Sequence, residues 1–263
     1  MVGWKIFARA LRLIVDNLGA ALRVTVVPMT LVVVAGVLIG GPALQTVVNP
    51  QGVAQLTPTD MSGLAGRLLP FYAVALAAYA WAAIGWHRFV LLGEDGGWIP
   101  DLRGGRLLGY VGRALLLGLV MILVAVALFL PGALVIGTLA AISEYLAALV
   151  GSVAYVAFVL FMIVLFYRLS PILPAAAVDR RLAFREAWDA TSGSAGAMLL
   201  IAVLTFVLSL LAQIPTFLDA GIGGAPGAIT LVYTLVTQWF FLLLGVAVLT
   251  TIYGHYVEGR PLE

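Results

Sequence analysis

Between Arg168 and Trp188 the sequence RLSPILPAAAVDRRLAFREAW carries six charged side chains, in a chain only 10% charged overall. Arg168, Arg180, Arg181 and Arg185 are suited to anionic lipid headgroups, at about 1 kcal/mol for each arginine near the surface. Trp188 suits the boundary between headgroups and hydrocarbon. A second basic set, Lys5, Arg9 and Arg12, recurs at helical spacing near the N-terminus. These eight residues are the candidate anchors to lipid or to a partner. The two histidines, His87 and His255, could in principle ligate a metal or haem, but no Glu-x-x-His or His-x-x-His spacing supports this. No nucleophile–base constellation is visible, and GEDGGW at 93–98 lacks the strand–loop–helix setting of a phosphate-binding loop. The chain has no cysteine, which removes disulfides, thiolate metal sites and cysteine nucleophiles. The expectation is therefore no catalytic, cofactor-binding or metal residues, and no enzyme.

The elements that position these groups follow from composition. The chain is 63% hydrophobic with a mean hydropathy of +1.13, against about 45–50% apolar and 25% charged for a soluble domain. So few charges cannot cover a water-facing surface, and lipid must solvate most of the exterior. The long apolar runs lack the alternation of a membrane barrel. They must close their backbone hydrogen bonds as helices. The fold class expected is an all-α integral membrane protein of six transmembrane helices, with amphipathic interfacial helices on the cytoplasmic side. The spans fall at about 22–40, 69–92, 110–130, 146–167, 197–218 and 228–253, forming one polytopic domain without a soluble domain. Residues 132–145 read as an outer-surface or shallow re-entrant segment. Of 14 basic residues, all but Arg67 fall on one side, which places both termini in the cytoplasm. That distribution argues for membrane rather than nucleic acid as the partner of the basic residues.

Before the first span, Trp4, Phe7, Leu11, Ile14 and Leu18 recur on one helical face, opposite Lys5, Arg9, Arg12 and Asp16, as in a helix lying in the headgroup layer. The first span is expected to be retained rather than cleaved as a signal. Shifting by 177 residues pairs Phe7 with Phe184, Ala10 with Ala187, Leu11 with Trp188 and Gly19 with Gly196. DLRGGRLLGYVGRALLLG reads as a third such lead-in, suggesting three units of an interfacial helix followed by a hairpin of spans. Within the charged passage, Pro171 and Pro174 end the fourth span near Arg168. Asp179 is positioned to cap a new helix, and Arg185 with Asp189 has the spacing of a helical ion pair. The most inward polar groups, Gln213 and Gln238, differ in depth by about 6 Å at 1.5 Å per residue. They read as an interhelical polar contact. Gly36 with Gly40, and Ala73, Ala77, Ala78 and Ala82, are packing signals.

Tyr167-Arg168, Pro174-Ala175-Ala176, Asp179, Glu186-Ala187-Trp188 and Thr191 with Gly193 together form a pattern. It resembles the signature of the YciC-like group of six-span bacterial inner-membrane proteins, related to the membrane part of glycerophosphodiester phosphodiesterases. The resemblance implies a six-helix bundle with cytoplasmic termini in the bacterial inner membrane. It implies no catalysis, because the phosphodiesterase activity of the larger group resides in a separate soluble domain.

The function expected is that of a non-catalytic accessory subunit, assembly factor or scaffold of a membrane complex. Its partners would be anionic lipid headgroups and other membrane subunits. The alternative is a permease or lipid-handling transporter with a cavity between its hairpins.

Overall fold

A computed structural model of the chain describes residues 1–41, 57–99, 103–222 and 228–262. Among them there is no strand. Nine α-helices follow in order: α1 (Val2–Asp16), α2 (Leu18–Ala35, prolonged by a π-helical turn at Gly36–Gly40), α3 (Pro58–Leu92), α4 (Gly104–Ile142), α5 (Glu144–Leu169), α6 (Ile172–Ala177), α7 (Phe184–Ala190), α8 (Ala195–Ile222) and α9 (Ala228–Tyr256). Six of them, α2 to α5 with α8 and α9, are long and apolar enough to cross a membrane. The chain is thus an all-α multi-pass membrane protein.

Two compact units are distinguished, residues 17–111 and residues 1–16 with 112–263, the boundary falling inside α4. In the first unit α2 packs along α3. Ala35, Phe71 and Ala75 form a small core there, flanked by Val32 and Ile39. Of the four alanines at packing intervals, Ala78 and Ala82 are buried, Ala77 is half-buried and Ala73 is exposed, while Ala80 and Ala83 are buried as well. The second span starts eleven residues before the expected 69. Thr57 accepts from the Asp60 amide at 3.2 Å while the Asp60 carboxylate accepts from the Thr57 amide at 3.0 Å. This reciprocal cap, with Pro58 at the first helical position, satisfies amides that would otherwise be free. Thr-Pro-Thr-Asp is a readable signal for it.

In the other unit α1 packs across α8 and α9, α5 packs on α8, and α7 packs on α5. The expectation that α1 lies in the headgroup layer with Trp4, Phe7, Leu11, Ile14 and Leu18 as its apolar face needs correction. The stripe that is buried is Gly3, Ile6, Phe7, Ala10 and Ile14, and protein covers it. Trp4 and Val15 lie about 100° further round and stay exposed. Lys5, Arg12 and Asp16 are exposed on the third side, with Arg9 half-buried. At 3.6 residues per turn the helix thus has three faces rather than two. One touches protein, one is free for lipid, and one is charged.

Three further expectations are corrected. Residues 132–142 are not a surface segment, since α4 continues through Pro131 to Ile142. In hydrocarbon a broken helix would strand more backbone groups than the single amide hydrogen proline lacks. The chain turns only at Ser143, whose hydroxyl accepts from the Leu146 amide at 3.3 Å as α5 begins. Nor does DLRGGRLLGYVGRALLLG form a lead-in helix of its own, because its described part runs directly into α4. The repeat is clearer between the other two copies. Ala10 and Ala187 are both fully buried, and the pair Asn17 and Ser194, 177 residues apart, each accept from the amide four residues on as α2 and α8 start. Finally, Asp179 caps no helix. Its φ is 60°, a left-handed conformation open to aspartate, and Glu186 instead accepts from the Ala183 amide at 2.8 Å as α7 starts.

Candidate functional site

Arg168 ends α5 and sits beside the short passage leading to α8. Pro171 and Pro174 do not leave an open loop there. Residues 172–177 make one buried helical turn, α6, which brings the chain back under α9. From there α7 lies against α5, and Arg168 meets it. The guanidinium carbon lies 3.4 Å from the centre of the Trp188 ring. Nη2 donates to the Trp188 carbonyl at 2.9 Å and Nε to the Thr191 hydroxyl at 3.4 Å. Thr191 is buried and donates to the Ala187 carbonyl at 2.8 Å. Ser194 in turn donates to the Thr191 carbonyl at 2.6 Å. Arg168 and Trp188 are thus engaged with one another rather than free for headgroups. They join the end of one hairpin to the helix that opens the next.

The remaining basic candidates divide by partner. Arg180 pairs with Glu258 at 3.3 Å, and Arg260 donates to the same carboxylate at 2.7 Å. His255 Nδ1 lies 3.1 Å from the Arg260 carbonyl. The carboxyl-terminal turn after α9 is therefore tied to the passage after α6. Arg185 meets Asp189 at 3.9 Å on the exposed face of α7, the spacing expected, although such an exposed pair contributes under about 1 kcal/mol. Arg181 is exposed, as are Lys5 and Arg12.

In the unit of residues 17–111, the loop after α3 is held by its two acids. Glu94 accepts from Arg88 Nε at 2.6 Å, and Asp95 accepts from Arg23 Nη1 at 3.0 Å. Arg88, with Arg103 and Arg106 nearby, holds the Glu94 carboxyl below the usual carboxylate range. GEDGGW is thus a latch between α2 and α3. His87 is not at a wet interface but fully buried, with Nε2 3.3 Å from the Tyr110 hydroxyl. Among the described residues no three His, Asp or Glu side chains gather in a way that could hold a metal.

Gln213 and Gln238 are not brought together. The Gln213 amide donates to the Ser209 carbonyl of its own helix at 3.3 Å, and Gln238 is exposed. A polar contact between α8 and α9 is made by Tyr233, whose hydroxyl donates to the Ala212 carbonyl at 2.6 Å. A phenol reaches a backbone acceptor across a helix pair, whereas a glutamine in lipid closes most cheaply on its own helix.

Two apolar clefts flank α5. One, of about 660 Å³, lies among α4, α5 and α8. The other, of about 690 Å³, lies between the far halves of α4 and α5, and Phe158 lines both. No alternation or motif announces them. Their only trace in the sequence is the glycines at 118, 132, 137 and 151.

A helical multi-pass membrane protein with a basic, internally paired end is the class these features define. Comparison with protein-family models, with curated proteins and with solved structures finds no match to this chain.

Proposed function

We propose that this chain is a non-catalytic accessory subunit or scaffold of a membrane complex, and that α4 is its docking helix. The observation that carries this is the solvation of α4. None of its most apolar 18 residues is buried by the rest of the chain, and their mean hydropathy of 2.9 is the highest of the six spans. At 1.5 Å per residue, its 39 residues run about 58 Å, well beyond a hydrocarbon core of about 30 Å. Leu115, Leu119, Ile122 and Val126 form one exposed stripe of the kind that packs against a neighbouring helix in lipid. The Lys/Arg bias and the pattern around Arg168 to Gly193 support a bacterial inner-membrane location, cytoplasmic termini and kinship with the YciC-like group. The alternative of transport would draw on the clefts beside α5. Their linings are apolar, chemistry suited to an alkyl chain rather than a polar solute.

The test is a photoreactive residue at Leu119 or Ile122, compared with one at Val33 on α2, followed by gentle extraction from native membranes. A discrete adduct with one membrane protein, or with a second copy of the chain, is expected from α4 only. Adducts with lipid alone at all three positions would refute the docking role.

A further inference from the structure

We infer that the turn after α9 is a strap coupled, through the last turn of α9, to the clamp of Arg168 on Trp188, so that screening the charges of the strap loosens the clamp. The strap is set first by backbone. Gly259 stands at φ 68°, a conformation glycine adopts without strain. The chain folds back there, and the Arg260 amide donates to the Gly254 carbonyl at 2.8 Å. Glu258 is turned inward by this fold, its side chain only 11% exposed. Its carboxylate accepts from Arg260 Nε within the strap at 2.7 Å and meets Arg180 Nη1, from the passage after α6, at 3.3 Å. The Tyr253 phenol lies beside both Arg180 and Glu258. The two arginine side chains remain 65% and 43% exposed, so salt reaches them. The screening length falls from about 10 Å at 0.1 M to about 3 Å at 1 M.

The clamp meets the same helix end. Tyr256, in the last turn of α9 with Tyr253, lies against the Ser194 hydroxyl. Ser194 gives its own hydrogen to the Thr191 carbonyl at 2.6 Å, so its oxygen is the acceptor for the Tyr256 phenol. Thr191 likewise gives its hydroxyl hydrogen to the Ala187 carbonyl at 2.8 Å and accepts from Arg168 Nε at 3.4 Å. Thr191 and Ser194 are buried, where a hydroxyl that loses its partner is not rescued by water. Hydrogen bonds joined in such a path respond together rather than singly. His255 closes the remaining gap. Its Nδ1 lies 3.1 Å from the Arg260 carbonyl, and its ring meets the Tyr256 ring edge-on at 4.8 Å between centroids. Tyr253 and His255 thus touch the strap while Tyr256 touches the path to the clamp, and one helical turn carries all three.

The experiment is hydrogen exchange of the full chain in phosphatidylcholine nanodiscs, at about 0.05 M and about 1 M salt. It follows two segments, the strap amides of 258–260 and the clamp amides of 187–194. In the native chain high salt should speed exchange in both, by at least about twofold in the clamp, the lower bound for members of one network. Glu258→Gln, which removes the charge but keeps the shape, should speed both at low salt and abolish the salt response of the clamp. Tyr256→Phe removes one hydroxyl; the strap should still answer to salt and the clamp should no longer follow. A native clamp that stays unchanged at high salt would overturn the coupling, whether or not the strap speeds up, and this reading requires no variant to fold. So would a clamp that keeps its native salt response in either variant. No readout involves α4, so this inference and the docking role can fail separately.

Discussion

Gly3 offers a test of what holds α1 in place. A Cβ built on Gly3 would lie 2.6 Å from the Ala197 carbonyl oxygen and 3.1 Å from the Ala197 Cα. Both are backbone atoms of α8, so no side chain can rotate away. Gly3→Val should cost about 1–3 kcal/mol as overpacking. Valine returns up to about 0.5 kcal/mol because glycine is the poorer helix former. The net cost is then about 0.5–3 kcal/mol, which raises the population of undocked α1 roughly 2- to 160-fold. The steric argument does not depend on solvent. An undocked α1 could still bury Ile6 and Ile14 among lipids, which would blunt any large-to-small substitution, but a clash with α8 exists only in the docked state. The assay uses the absence of native cysteine. Ala10→Cys places a single thiol at a fully buried position facing α8 and α9, and its maleimide labelling rate reports undocking. Gly3→Val should accelerate labelling by the factor above, whereas neutralising Lys5, Arg9 and Arg12 together should change it little. If Gly3→Val leaves the rate unchanged and charge removal raises it, headgroups rather than packing hold α1, and the reasoning fails.

Two further outcomes are expected. Arg168→Lys keeps the charge but loses the planar stack on Trp188 and the forked donation to Trp188 and Thr191. It should lower stability by about 1–2 kcal/mol and red-shift Trp188 emission in a chain where the other tryptophans are replaced; unaltered emission would mean the clamp is not formed. The Glu94 carboxyl is held below its ordinary value, so the unfolded or opened loop binds the proton more readily. Its contribution is therefore complete above the ordinary glutamate value, about 4.3, and is lost as pH falls through the lower folded value. Hydrogen exchange over residues 93–99, corrected for its intrinsic pH dependence, should speed up on acidification. Glu94→Gln should remove that dependence, and identical profiles for the two chains would count against the latch.

Much of the fold is written in local chemistry. A 63% apolar chain with 10% charge can be stable only with lipid as solvent, and run length then requires helices. The i,i+4 pairing of Arg185 with Asp189 and the end of α5 at the first proline depend on neighbours a few residues away, so they can be read directly. The Thr-Pro-Thr-Asp cap was equally readable, although hydropathy alone starts that span too late. Local signals misled where two mechanisms compete for the same residues. Asp179 and Glu186 can each serve a helix start, and backbone geometry at Asp179 decided for Glu186. Pro131 can end a helix in water, but lipid denies the backbone any other partner.

What only tertiary structure decided is which face meets which surface. Periodicity shows that α1 has apolar and basic sides. It does not distinguish protein from lipid as the cover of the apolar side, because both reward the same side chains. The choice turned on Gly3 and Ala10, small residues that admit a second backbone and carry no hydropathy signal of their own. Arg168 likewise reads as a membrane anchor until α7 folds back and sets Trp188 against it. The sequence by itself determined that the chain lives in a membrane as helices, since solvent and backbone hydrogen bonding act on composition. The tertiary fold decided which of its charges are available to anything else, because pairing is a matter of distance between segments far apart in the chain.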